Sequence, residues 1–167
     1  EAMGYLGLVS WWCGRPADAR PMAADAVARA RETRHPISEL IALHLAAVVH
    51  QYAGEHEHAL ALSSELFDVI DRHDLPRGPG AFGWVRGSLL VMLGRVDEGM
   101  ALIDEGWRST VATGMRIGHT GYHLHRTEAC RAAGGLLAGQ GDKPVRQPRQ
   151  GSAGQSQGRA RIGVGEG

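Results

Sequence analysis

The chain has 167 residues, with 18 Lys+Arg balancing 18 Asp+Glu, and 43% of it is hydrophobic, an ordinary composition for one globular domain. No apolar run reaches the ~18–20 residues that span a bilayer, no basic segment leading into an apolar one opens the chain, and balanced charge argues against a dedicated nucleic-acid binder. Two cysteines, Cys13 and Cys130, make no disulfide framework and suit a reducing, cytoplasmic setting.

In chain order, the sequence reads as helices. Ala2 to Cys13 is a helix already in progress, and an opening at Glu1 without an initiator Met suggests either a piece of a longer chain or a trimmed or misassigned start. Gly14 ends this helix, and Ala19, Met22 and Val27 follow on the next. Ile37, Leu40, Ile41, Leu45, Val48, Val49 and Tyr52 keep the i, i+3/i+4, i+7 spacing of a buried helical face, closed by Gly54. A partner helix runs through Ala59, Leu62, Leu66, Phe67 and Ile70 and stops near Asp71–Asp74, before Leu75-Pro76. Phe82 to Leu93, Gly94, then Val96 to Val111 and Gly114 repeat the plan, and Ile117 to Ala133 starts it again. No stretch shows the strict alternation of a half-buried strand, so no sheet is predicted.

Gly14, Gly54, Gly94 and Gly134 stand 40 residues apart, and Ala19, Ala59, Gly99 and Gly139 each follow five residues later. Met22, Leu62 and Leu102 share a register, as do Val27, Phe67 and Trp107, and Pro36 and Pro76. A small residue just after a tight turn lets two helices cross closely. One hairpin cannot cover its own apolar faces, so neighbours stack. The predicted fold is therefore all-α, an α-solenoid of about three and a half helical hairpins over residues 1–138. From Gly135 to Gly167 there are nine Gly, two Pro and five Lys/Arg against two Asp/Glu, so 139–167 is predicted to be a disordered Gly/Arg/Gln-rich tail. Gln140-Gly141-Asp142-Lys143-Pro144 breaks any helix after Gly134, which predicts that the last helix exposes a face for another chain to cover, or that this C-terminus is not the native one.

The W/Y-x-x-G-x-x-x-x-A spacing resembles tetratricopeptide-like repeats in a longer register. Trp11-Trp12-Cys13-Gly14-Arg15-Pro16, His44-Leu45-Ala46-Ala47-Val48-Val49-His50-Gln51, Gly94-Arg95-Val96-Asp97-Glu98-Gly99 and Thr113-Gly114 are similar to the C-terminal helical-repeat region of bacterial signalling ATPases. These include adenylate/guanylate cyclase–ATPase fusions and regulators of the maltose-activator type. The likeness covers roughly 1–134 and lies in spacing, not in a catalytic signature. It implies a cyclase- or ATPase-like parent whose catalytic segments lie outside this chain, so no catalytic residue is carried over.

Several motifs look chemical. Gly78-Pro79-Gly80-Ala81-Phe82-Gly83 matches G-x-G-x-x-G, but a helix precedes it and Pro79 removes a backbone donor, so it reads as an inter-repeat loop. Gly154-Gln155-Ser156-Gln157-Gly158 matches G-x-S-x-G without the strand that a nucleophile elbow requires. His119 and His123 share a helix face at i, i+4 with His125 beside them, the candidates for a metal, yet Thr120 breaks H-E-x-x-H and only Glu128 could complete a ligand set. No cofactor or metal is assigned. Cys13 and Cys130 read as buried small apolar residues, Trp107 as core, and Trp84, in register with His44, as a residue able to line a groove.

First helices of stacked hairpins line a shared surface, which places His44, Gln51, Trp84, Arg86 and Arg126 as candidate groove residues. Paired arginines suit a carboxylate or phosphate. The function predicted is a non-catalytic, cytoplasmic binding and regulatory scaffold. Its partners would be a protein, its parent's own upstream domains or a small inducer, with no nucleic acid or membrane, and self-association would run through the last helix. The alternatives are a His-cluster metalloprotein or enzyme, and a non-functional truncated remnant.

Overall fold

The structure, a computed structural model, describes residues 2–75, 81–112, 114 and 119–134. Among the described residues seven helices lie within one compact unit, Glu1–Leu136: α1 (Ala2–Trp12), α2 (Pro16–Thr33), α3 (Pro36–Tyr52), α4 (His56–Arg72), α5 (Ala81–Met92), α6 (Val96–Ala112) and α7 (His119–Ala132). Among the described residues there is no strand. None of these helices is long and apolar enough to cross a membrane. The tail expected over 139–167, the segment holding Ser156 and residues 78–80 of the expected inter-repeat loop 78–83 lie outside the described residues, while 81–83 of that loop are instead the first turn of α5.

Local chemistry sets the helix ends. Pro16 and Pro36 stand in the first turns of α2 and α3, where a missing N–H costs nothing. Ser38 N–H donates to His35 Nδ1 at 3.3 Å, capping α3. Gly14, Gly54, Gly94 and Gly134 all adopt positive φ, between 70° and 87°. Each donates its N–H to the carbonyl three residues back, on Trp11, Gln51, Val91 and Arg131. Behind the first three, Arg15, Glu55 and Arg95 reach back five residues to Ser10, His50 and Leu90 at 2.8–3.0 Å. This paired bond is the Schellman stop, repeated at a 40-residue interval.

The second helices end in one register with bonds of the same kind: Arg34 and Gly114 donate their N–H to the carbonyls three residues back, and Leu75 donates to Ile70 five back. Arg34 (φ 51°), Asp74 (φ 47°) and Gly114 (φ 69°) turn left-handed at matching positions, and only the last is glycine. Arg34 and Asp74 carry a positive φ without being glycine, and a proline, Pro36 or Pro76, follows each two residues later.

α1 packs on α2, α3 on α4 and α5 on α6, as three hairpins, and each first helix also packs on the next first helix, α1 on α3, α3 on α5 and α5 on α7. The small residues expected at the crossings are there: Ala19, Ala59 and Gly99 are buried. Their counterparts on the first helices are small too. A Cβ on Gly7 would lie 3.1 Å from the Ala19 carbonyl oxygen, and one on Gly87 2.6 Å from that of Gly99. Ala47 holds the matching place in the middle hairpin and is buried.

The main core runs from Leu8 through Val27, Leu43, Val49, Leu66 and Ile70 to Leu89. A second cluster, Trp84, Val91, Ile103, Tyr122 and Ala129, joins α5, α6 and α7, with Trp107 half-buried on its edge, stacked 4.2 Å from Tyr122. Cys13 departs from expectation: it is exposed, because it falls in the turn after α1 and not on the helix's inner face, while Cys130 is half-buried.

Candidate functional site

Polar side chains gather where α3, α5 and α7 meet. Gln51 Nε2 donates to Ser88 Oγ at 3.0 Å and to Glu128 Oε2 at 3.3 Å, and stands 3.4 Å from His125 Nδ1. Ser88 Oγ donates to the Val85 carbonyl at 2.9 Å and lies 3.4 Å from His125 Nδ1. Gln51, Ser88 and His125 are buried and Glu128 is half-buried. Gln51 Oε1 has no hydrogen-bond partner among the described residues.

The repeat shows how unusual these residues are. Ser88 and Glu128 occupy the column that holds Leu8 and Val48 in the earlier hairpins, and His125 the column of Leu45 and Val85. The stack thus exchanges hydrocarbon for hydrogen-bonding groups toward its C-terminal hairpins. Burying such groups costs stability unless they are paired, and Gln51 places both amide protons, on Ser88 and Glu128.

Burial governs the electrostatics. His125 is lowered to about 4 by desolvation, and His44 to about 4 by desolvation and then by repulsion from His125. Burial raises the Glu128 carboxyl, against the opposing pull of Arg131 and His56. The Tyr52 hydroxyl is raised by burial and by the Glu128 charge. At neutral pH both imidazoles are therefore uncharged, each offering one N–H and one lone pair.

This is hydrogen-bonding chemistry and not a nucleophile relay. The Ser88 proton points at Val85, the Ser88–His125 separation of 3.4 Å is long, and an imidazole that titrates near 4 is a poor base at neutral pH.

The groove residues named from the sequence do not form one open groove. Gln51 belongs to the buried cluster. Trp84 lines no groove: it is 2% exposed, edge-on to Tyr122 at 5.7 Å, with Nε1 unpartnered among the described residues. His44 is half-buried, edge-on to Phe82 at 5.1 Å.

Arg86 and Arg126 are not paired with each other, because each lies along the preceding hairpin. Arg86 Nη1 donates to Ser64 Oγ at 3.1 Å and its guanidinium lies 5.2 Å from the Phe67 ring centroid. Arg126 reaches Asp104 at 4.0 Å and lies 6.0 Å from the Tyr122 centroid. Ser64 and Asp104 are again one repeat apart, so the two arginines make the same inter-hairpin reach.

The three histidines suggested for a metal separate in space. His119 and His123 lean on Trp107, at 4.8 and 5.7 Å between ring centroids, while His125 points into the stack. Among the described residues no group of three His, Cys, Asp or Glu is placed to hold a metal ion. Ser88 was missed by sequence reasoning, although a serine in a column of Leu and Val was the available signal.

No protein-family model, curated protein or solved structure matches the chain.

Proposed function

We propose that the chain is a tetratricopeptide-like α-solenoid acting as a non-catalytic binding and regulatory scaffold, in the cytoplasm, within a signalling ATPase- or cyclase-like parent. The observation that supports this most is the Schellman stop repeated at Gly14, Gly54 and Gly94, with Gly134 left-handed in the same register. Equal stops at equal intervals hold the first helices in one register, so a linear partner meets the same backbone geometry at every hairpin. Gln51, Ser88 and His125 bind one another inside the stack, so a protein segment or small inducer would meet the half-buried polar residues of the first helices, His44, Arg86, Arg126 and Glu128.

Hydrogen exchange tests the scaffold role, comparing the chain alone with the chain plus the parent's catalytic segment supplied in trans. Added protection on α3, α5 and α7 supports it; protection absent, or confined to α2, α4 and α6, overturns it. The parentage is tested by the coding sequence on the 5′ side of the Glu1 codon, where an in-frame cyclase or Walker-bearing segment is expected and a stop codon would refute it.

A further inference from the structure

One place in the repeat changes its chemistry from seam to seam. The second-helix and next first-helix residues at that register are Ala24 and Ala46, then Ser64 and Arg86, then Asp104 and Arg126. In the last two the side chains face each other across the seam. Arg86 Nη1 donates to Ser64 Oγ at 3.1 Å, and Arg126 Nε stands 4.0 Å from Asp104 Oδ1. Along the stack the place thus passes from two alanines, to a guanidinium on a hydroxyl, to a guanidinium on a carboxylate.

The middle pair is short of negative charge. Ser64 gives its own proton to the Leu60 carbonyl at 3.0 Å, so its oxygen accepts from Arg86 but returns no charge. The Phe67 ring, 5.2 Å from the guanidinium, orients the cation without neutralising it. Among the described residues no carboxylate pairs with Arg86. A guanidinium carries five N–H donors, and Arg86 Nε and Nη2 are neither bonded to the described residues nor enclosed by the fold. Ser64 and Arg86 are both half-buried, so a charge pair formed there is screened less than one in open solvent.

We infer that Arg86, with Ser64 and Phe67, is a binding site for a carboxylate, supplied by an Asp or Glu side chain of a partner segment. The inference deepens the scaffold reading and rests on it, since it gives one residue offered to a partner a ligand of stated chemistry. The stack's own usage favours a carboxylate: one hairpin on, Asp104 answers the equivalent arginine with that group. A single guanidinium also matches the single charge of a carboxylate, whereas a phosphomonoester, at about −2, calls for a second cation. The bound group would lie on the seam between α4 and α5 and tie the second hairpin to the third, as Asp104 and Arg126 tie α6 to α7.

Nuclear magnetic resonance on the full chain tests this, with acetate as the probe and chloride at matched ionic strength as the reference. The backbone amides of Ser64, Phe67 and Arg86 should shift saturably with acetate, at a Kd of roughly 10–100 mM, the strength of one charge-assisted pair. Those of Asp104 and Arg126 should stay still. Ser64→Asp places a carboxylate where the next hairpin has one, so it should bind acetate at least ~10-fold more weakly and raise the urea midpoint. Arg86→Gln keeps an amide donor toward Ser64 and removes the charge, and it should abolish the shifts.

Equal shifts with chloride, or at Arg126, would reduce the effect to ionic strength and overturn the inference. Ser64→Asp binding acetate as well as the wild type would overturn it too. Inorganic phosphate binding ~10-fold more tightly than acetate would sink the choice of a carboxylate. Should Ser64→Asp lose helicity by circular dichroism, Arg86→Gln decides alone. Failure here is distinct from failure of the scaffold, because a partner can protect α3, α5 and α7 from hydrogen exchange without a carboxylate at Arg86.

Discussion

Gly87→Ala probes the feature on which the hairpins depend most, the close crossing of α5 and α6. The added Cβ would sit 2.6 Å from the Gly99 carbonyl oxygen, 2.7 Å from Ile103 Cγ1 and 3.1 Å from Ile103 N. Ile103 can turn its side chain aside, but the two backbone atoms cannot yield unless the helices part by roughly 1 Å. Overpacking of this kind costs about 1–3 kcal/mol, while Ala in place of Gly returns up to ~1 kcal/mol of helix propensity.

The net expectation is a loss of about 1–2 kcal/mol, or roughly 4–8 °C in Tm, read by circular dichroism in thermal and urea unfolding. Gly99→Ala meets the Gly87 carbonyl oxygen even more closely and should behave alike, and the double variant should lose less than both combined, since one separation serves both methyls. Gly121→Ala is the control. Its Cβ would meet nothing nearer than Trp84 Cζ3 at 4.0 Å, so it should gain about 0.5–1 kcal/mol. If Gly87→Ala gains as much as Gly121→Ala, the close crossing is not a feature of the folded chain.

Arg34→Gly and Asp74→Gly should each stabilise the chain by about 0.5–1 kcal/mol, because glycine relieves their positive φ; Gly54→Ala, at φ +76°, should lose about 1–2 kcal/mol, all three measured by urea midpoint. Arg86→Ala should lower stability by about 1 kcal/mol through its lost contacts with Ser64 and Phe67, so an unchanged Tm would contradict its packing against α4.

Stability should also fall on acidification. His44 and His125 titrate near 4 in the folded chain and near 6.5 when unfolded, so between those values the unfolded state holds more protons, and the loss runs from pH 6.5 down to 4 and then levels off. The effect is up to roughly 3 kcal/mol for a fully buried imidazole and less at His44, which keeps some exposure. Glu128, with its carboxyl raised, works in the opposite sense and blunts the fall. His125→Asn should flatten the profile of urea midpoint against pH, and an equally steep profile in that variant would place the titration elsewhere.

The even spacing of Gly14, Gly54, Gly94 and Gly134 was enough to locate the first-helix stops and the hairpins, because a left-handed stop is local backbone chemistry that glycine announces. Ala19, Ala59 and Gly99 marked one side of each crossing for the same reason. Gly7, Ala47 and Gly87 on the other side lay in the same register, though only the packed helices show that they face the first set. Leu75-Pro76 marked the end of α4 near Asp74, but the left-handed turns at Arg34 and Asp74 were not legible, because neither is the glycine that announces a positive φ.

The candidate site was harder to read. Gln51, Arg86 and Arg126 are polar residues on helices, and periodicity alone assigned them to a solvent-facing groove. Whether such a side chain is tolerable inside depends on partners 22 to 77 residues away, Ser64 for Arg86 and Glu128 for Gln51. Evenly spaced glycines and a helical apolar period were enough to place the hairpins and their recurrence. Tertiary structure decided which face of each helix turns inward, because the cost of burying a polar group is set by what meets it across the interface.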